Sequence, residues 1–237
     1  MLDYGLFRVH ENGRVIGISG FLVQTDQGEN AVIDAGFPPK YAADAKAASQ
    51  EDRLGAFGEV LELSPRNLPA AQLALTGVRE EDVGLFILSH THIDHLGGLD
   101  LFPEAPIALS AAERALPKPL YWGAVQPLPW PDRDYRLIHG DTRIGPGFEI
   151  LFAPGHAPGQ LAFLLDLPQT GAVLITSDAI SRPAELAEGF SGAHDPALAR
   201  FHAERLMRLA AERNALVIYG HSPEQWPTLR KAPSFYG

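Results

Sequence analysis

The chain has 237 residues and no cysteine, and its 29 acidic side chains outnumber 19 basic ones for a formal charge of −10. That balance argues against a nucleic-acid partner, which calls for Lys and Arg spread over a face, and the missing thiols exclude disulfides and thiolate-held metal. No stretch approaches the roughly 18 uninterrupted apolar residues of a membrane span. The opening Met1-Leu2-Asp3-Tyr4-Gly5-Leu6-Phe7-Arg8 lacks the basic and apolar regions of a secretory signal. With 46% apolar residues, the expectation is one α/β domain over residues 1–237, in the cytoplasm and away from membranes.

The first elements read as antiparallel strands. Leu6 to His10, Val15 to Ile18, Phe21 to Thr25 and Asn30 to Asp34 are short apolar runs, with turn signals at Asn12-Gly13 and Gln27-Gly28. Leu68, Ala71, Gln72 and Leu75 follow helical spacing and predict a helix over Pro65 to Thr76, stopped by Gly77. A strand follows at Val83 to Leu88, and directly behind it stands His90-Thr91-His92-Ile93-Asp94-His95, then Leu96-Gly97-Gly98-Leu99. Pro106 to Leu109 is the next strand. Pro117 to Pro131 carries Tyr121, Trp122 and Trp130 among five prolines, fits neither period and reads as an aromatic loop. Phe148 to Phe152, Leu161 to Leu165 and Ala172 to Thr176 are strand-like. The strongest helical pattern is Pro196 to Arg213, with an apolar stripe of Leu198, Phe201, Leu206, Leu209 and Ala210, and Leu216 to Tyr219 closes as a strand. Strands in both halves with helices between them predict two sheets packed face to face with helices outside.

The chemistry concentrates at strand ends. Imidazole and carboxylate are the ligand types that bind borderline divalent metals without sulfur, and His90 to His95 packs three and one of them into six residues. Such a cluster at the carboxyl end of a buried strand lies where α/β sheets place their crevices, and unpaired burial would be costly. Three further strands each deliver one such residue: His156 behind Phe148–Phe152, Asp178 behind Ala172–Thr176, and His221 behind Leu216–Tyr219. Taken alone, Asp178 reads better as a helix cap or turn residue; four strand ends together point to a metal site. His10, His139, His194 and His202 receive no role.

This set resembles the metallo-β-lactamase superfamily of binuclear metal hydrolases, whose signature HxHxDH is followed by separate His, Asp and His on an αββα sandwich. The resemblance implies that fold, two mixed sheets with helices outside. It also implies that His90, His92 and His156 hold one divalent ion, that Asp94, His95 and His221 hold a second, and that Asp178 bridges both. Zinc is the expected metal, with manganese, iron and cobalt equally suited to nitrogen and oxygen ligands. Within the superfamily the chain is most similar to the acyl-homoserine-lactone lactonases. The similarity runs through Gly28-Glu29-Asn30-Ala31-Val32-Ile33-Asp34-Ala35-Gly36, through Tyr135-Arg136-Leu137-Ile138-His139-Gly140-Asp141 leading to Ala153-Pro154-Gly155-His156, and through the tail Tyr219-Gly220-His221-Ser222-Pro223-Glu224-Gln225-Trp226.

The resemblance implies a hydrolase that opens a lactone or carboxylic ester of a small molecule, with Asp94 and Asp178 in the catalytic centre. Asp94 is a ligand first and a candidate proton carrier second. Two departures stand out: Ser181 occupies the position where those lactonases commonly carry Tyr, and Ser222 the place of the usual Asp. Ser181, Trp122 and Trp130 are the candidate substrate contacts, with Phe190 as a further acyl-wall candidate; packing is the competing role for the aromatic residues. The alternatives are a thioester or phosphoester hydrolase on the same fold, and a non-catalytic metal-binding module. Assembly is left open, with a homodimer as one form.

Overall fold

Alternating side-chain burial along the strands sets the layers of this computed structural model, which describes residues 1–237. Strands β1 (Leu2–Val9), β2 (Val15–Gln24), β3 (Asn30–Ile33), β4 (Gly58–Glu62), β5 (Leu85–Ile87), β6 (Ile107–Ser110) and β7 (Tyr135–Ile138) form a seven-stranded sheet in the order β4-β1-β2-β3-β5-β6-β7. Strands β8 (Thr142–Gly145), β9 (Phe148–Phe152), β10 (Leu161–Leu167), β11 (Gly171–Ser177) and β12 (Leu216–Tyr219) form a second sheet, in the order β12-β11-β10-β9-β8. Both are mixed: β3, β5, β6 and β7 run parallel, as do β11 and β12, and the remaining neighbours are antiparallel.

Period two along β10 sorts its residues between layers. Leu161, Phe163 and Leu165 face the first sheet and meet Ile33, Ile87 and Ala108, while Ala162 and Leu164 face outward. That outer face is covered by a long helix, Pro196–Glu212, and the outer face of the first sheet by short helices at Lys40–Ala43, Ala45–Asp52 and Pro69–Ala74. The result is the expected αββα sandwich. No helix is long and apolar enough to cross a membrane.

Several local expectations change on contact with tertiary structure. Val15 to Thr25, read as two strands, is one continuous β2. Gly20 lies mid-strand because any Cβ there would stand 2.5 Å from Tyr4 and 2.7 Å from the Asp34 carbonyl. The helix expected over Pro65 to Thr76 is a 3₁₀ turn at Pro65–Asn67 followed by a helix at Pro69–Ala74. Pro69 disfavours helical backbone at the residue before it, and Leu68 is extended at ψ 149°. The Pro196–Glu212 helix is capped by Asp195, which accepts from Leu198 N at 3.0 Å, but its buried stripe is Ala199, Ala203, Leu206 and Ala210. Leu198 and Phe201 are exposed. Alanines let this helix come so close that a Cβ on Gly155 would fall 2.3 Å from Ala199. The helices over Lys40–Asp52 and the strands β4, β7 and β8 carry too little periodicity to be seen in advance.

The topology decides where the site falls. The carboxyl ends of β3, β5, β9, β11 and β12 open at one edge of the sandwich, and the segments that follow them cross-link the sheets there. Leu161 N donates to the Ser89 carbonyl at 2.8 Å, and Ser177 Oγ donates to Ser89 Oγ at 2.9 Å.

Candidate metal centre

All seven strand-end residues converge. His90 Nε2 lies 3.0 Å from His92 Nδ1, which lies 3.0 Å from His156 Nε2. Nearby, Asp94 Oδ2 stands 3.7 Å from His95 Nε2 and 3.4 Å from His221 Nε2. Asp178 faces both groups: Oδ1 is 3.5 Å from His95 and 3.2 Å from His221, and Oδ2 is 3.4 Å from His156. His90–His92–His156, His90–His95–Asp178 and Asp94–His95–His221 each bring three ligand atoms within 4.8 Å of one another.

These contacts leave polar atoms that a cation would satisfy. His95 Nε2, His221 Nε2 and Asp178 Oδ1 are buried without a hydrogen-bond partner, a costly condition for groups of this polarity. The far ring nitrogens are engaged: His95 Nδ1 is 2.9 Å from Asp34 Oδ2, and His221 Nδ1 is 3.0 Å from the Gly17 carbonyl. Donation to carboxylate or carbonyl from the far nitrogen is how ligand histidines are held in one tautomer. The donor set fits borderline divalent ions.

The two groups differ in charge. Burial, reinforced by neighbouring imidazoles, holds His90 well below the ordinary histidine value and pushes His92 down to about 3. His156 is likewise lowered by burial. Burial also acts against protonation of His95, but Asp94, Asp34 and Asp178 outweigh it and lift the ring to about 10; Asp178 and Asp94 lift His221 against burial to about 9. Asp178, although buried, is held well below the usual carboxylate range by His221, His95 and His156.

Residues that the sequence did not single out hold this edge in place. Asp34, at φ 57°, accepts from Ser89 N at 2.8 Å and Ser89 Oγ at 2.7 Å as well as facing His95. It ends a strand just as Asp178 does, within the Gly28–Gly36 stretch that carries the resemblance. Buried Glu113 accepts from Thr91 Oγ1 and from Gly159 N, tying the His90–His95 segment to the His156 loop. Buried Asp52 accepts from Tyr41 at 2.9 Å, Tyr121 at 2.7 Å and Lys40 at 2.8 Å. Tyr121 in turn pairs through its backbone with Thr91 and Ile93, so the aromatic segment is pinned to the histidine cluster at that point.

A cleft of about 410 Å³ opens above the cluster. Its floor includes His92, Asp94, His156, Asp178 and His221, and one wall is apolar: Phe7, Val9, Ile16, Phe37, Leu54, Phe57 and Trp122. Ser181 and Phe190 line it too. Trp130 does not. Its indole donates to the Leu116 carbonyl at 2.7 Å and packs under Arg114 and against Tyr135. Its expected substrate contact is thus corrected to a packing role. Ser222, in place of the usual Asp, donates to Glu224 and caps a turn.

An αββα sandwich with His/Asp clusters at its strand ends defines a class of metal-dependent hydrolases. The family model for the metallo-beta-lactamase superfamily matches residues 13–221, and the chain belongs to that superfamily. Its relatives there are N-acyl homoserine lactonases. One from a Bacillus species is 31% identical over 86% of this chain and 81% of the relative, and AiiA from Bacillus thuringiensis subsp. kurstaki is 29% identical over 91% and 85%. The fold matches a solved N-acyl homoserine lactone hydrolase with N-hexanoyl-L-homoserine bound at its catalytic metal centre (TM-score 0.85, 24% identity, 99% and 97% coverage). It also matches AidC, a dizinc quorum-quenching lactonase (TM-score 0.66, 19% identity, 98% and 90% coverage).

Proposed function

We propose that the chain is a metal-dependent lactonase that opens the ring of N-acyl homoserine lactones. The observation that carries this reading is Asp178, whose two carboxylate oxygens face different histidine groups at 3.2–3.5 Å. In this reading His90, His92 and His156 hold one ion, Asp94, His95 and His221 hold the other, and Asp178 serves both; the preferred metal is zinc. Bound divalent ions supply Lewis acidity, making a deprotonated water available near neutral pH and drawing electron density from the scissile carbonyl.

The chain's own residues do the rest. Asp34 and the Gly17 carbonyl aim His95 and His221 into the site from behind. The apolar wall takes the acyl chain and excludes water from it. Asp94, at the cleft floor and the least buried of the carboxylates there, is placed to hand a proton to the departing alkoxide. Ser181 is too short to replace a phenolic donor at the carbonyl, and its backbone N–H is committed to Glu185 Oε2 at 2.7 Å.

Metal content combined with a panel of lactone, thioester and phosphodiester substrates tests the reading. Two equivalents of metal with turnover confined to lactones are expected. Preference for thioesters or phosphodiesters would assign a different hydrolase on this fold, and bound metal without any turnover a binding module.

A further inference from the structure

The apolar wall of the cleft ends in an unused cation. Arg14 lines the cleft yet makes no side-chain hydrogen bond or ion pair, and its Nε is buried without a partner. The nearest cationic neighbour, Arg182, is already committed to Glu188 in a two-point pair. Glu185 on the same rim accepts from Ser181 N. Burial and Arg182 push the Arg14 guanidinium below its ordinary value, outweighing Glu185, Glu188 and Glu224, which surround it without pairing with it.

Strand geometry fixes how far from the chemistry this cation sits. Gly17 supplies the carbonyl that meets His221 Nδ1 at 3.0 Å, and Arg14 lies three residues before it, about 10 Å along an extended backbone. Side chains alternate along the hairpin, so Arg14 shares the face of Ile16, and its carbonyl accepts from Val9 N at 2.8 Å. A guanidinium there ends the apolar row formed by Phe7, Ile16 and Val9, on the wall of the cleft whose floor holds the histidine cluster. Glu11, Glu185 and Glu188 on the same rim make the place unfavourable to a full negative charge but not to a neutral oxygen.

Building on the lactonase reading, we propose that Arg14 is a specificity-determining residue that donates hydrogen bonds to a neutral oxygen on the acyl chain, so that the preferred substrates are lactones with oxygenated acyl chains. The test compares kcat/KM for N-hexanoyl and N-(3-oxohexanoyl) homoserine lactone in the metal-loaded wild type, Arg14→Leu and Arg14→Lys. The ratio on one preparation does not depend on its folded fraction. A charged donor meeting an oxygen acceptor predicts a wild-type preference of about tenfold or more for the oxo substrate, reduced towards one by Arg14→Leu and partly kept by Arg14→Lys. Turnover of both lactones with a wild-type ratio near one, or a ratio that survives Arg14→Leu, overturns this inference alone. No turnover of either by the wild type overturns the lactonase reading and the inference with it.

Discussion

The two halves of the metal centre use the same imidazole and arrive at opposite electrostatics. Around His90, His92 and His156 the rings crowd one another, and burial keeps them neutral. Around His95 and His221 three carboxylates, Asp94, Asp178 and Asp34, overcome equal burial and favour the charged ring. A ligand is useful only when deprotonated. The first half therefore stands ready for a cation, whereas in the second a cation must displace protons and is repaid by the negative charge it meets. Residue type alone does not set the behaviour of a histidine; the carboxylates around the ring do.

Asp178 is where the halves meet, and its loss is the severest way to break the comparison. Asp178→Ala is expected to abolish both metal equivalents and lower kcat/KM by at least about a thousandfold, as for loss of a central electrostatic group; elemental analysis and kinetics that find two equivalents and near-normal turnover would separate the halves. Asp34→Asn acts directly on His95, and reaches His90 only through Ser89. It should weaken one metal equivalent by about 10–100-fold, the usual effect of removing a carboxylate behind a ligand histidine, and leave the other unchanged. A chelator titration in which both equivalents weaken together would merge the two halves into one unit.

The metal-free protein gives the comparison a pH signature with two flanks. His95 and His221, raised from 6.5 to about 10 and about 9, contribute stability that is fully present below 6.5 and is lost as pH rises through 9 and 10. His92, lowered to about 3, together with His90 and His156, works in the other sense, and its contribution fades as pH falls below 6.5. Thermal melts across this range should show both flanks, and Asp94→Asn should flatten the alkaline one while steepening the acid one, since Asp94 also raises His92 and His156. With metal bound, activity should fall in mild acid as protons compete for the ligands.

Smaller effects probe the cleft. Trp122→Ala should raise KM for longer acyl chains roughly tenfold through lost apolar contact, while Trp130→Ala should lower Tm and leave KM unchanged; equal effects on KM would return Trp130 to the substrate. Ser181→Ala is expected to cost no more than about tenfold in kcat, one neutral hydrogen bond. A loss of a thousandfold would make Ser181 a primary catalytic group.

Much of this was legible in the chain. Each ligand candidate follows an apolar run, and the near-continuous apolar runs of β10 and β11 are those of strands buried on both faces. The helix boundary at Leu68 failed because a rule about one proline outweighs a stripe of four residues. Asp34, Asp52 and Glu113 could not be singled out, since a buried carboxylate is recognised by its partners, and theirs lie 11 to 69 residues away. The placements of Trp122 and Trp130 depended on a loop anchored to the site through Leu120 and Tyr121, the latter at φ 56°.

Gly17 has a consequence that reaches past the site itself. Its carbonyl orients a histidine 204 residues away, and the space where its side chain would stand is filled by the ring of Trp226, 2.0 Å from an added Cβ. The first hairpin and the final segment of the chain must therefore meet before His221 can take its orientation. Contacts of such separation carry the largest loop-closure cost and form late. Competence of the His221 side of the site to take a metal is then acquired only once nearly the whole polypeptide is in place, so metal uptake there during refolding would read out completion rather than early collapse.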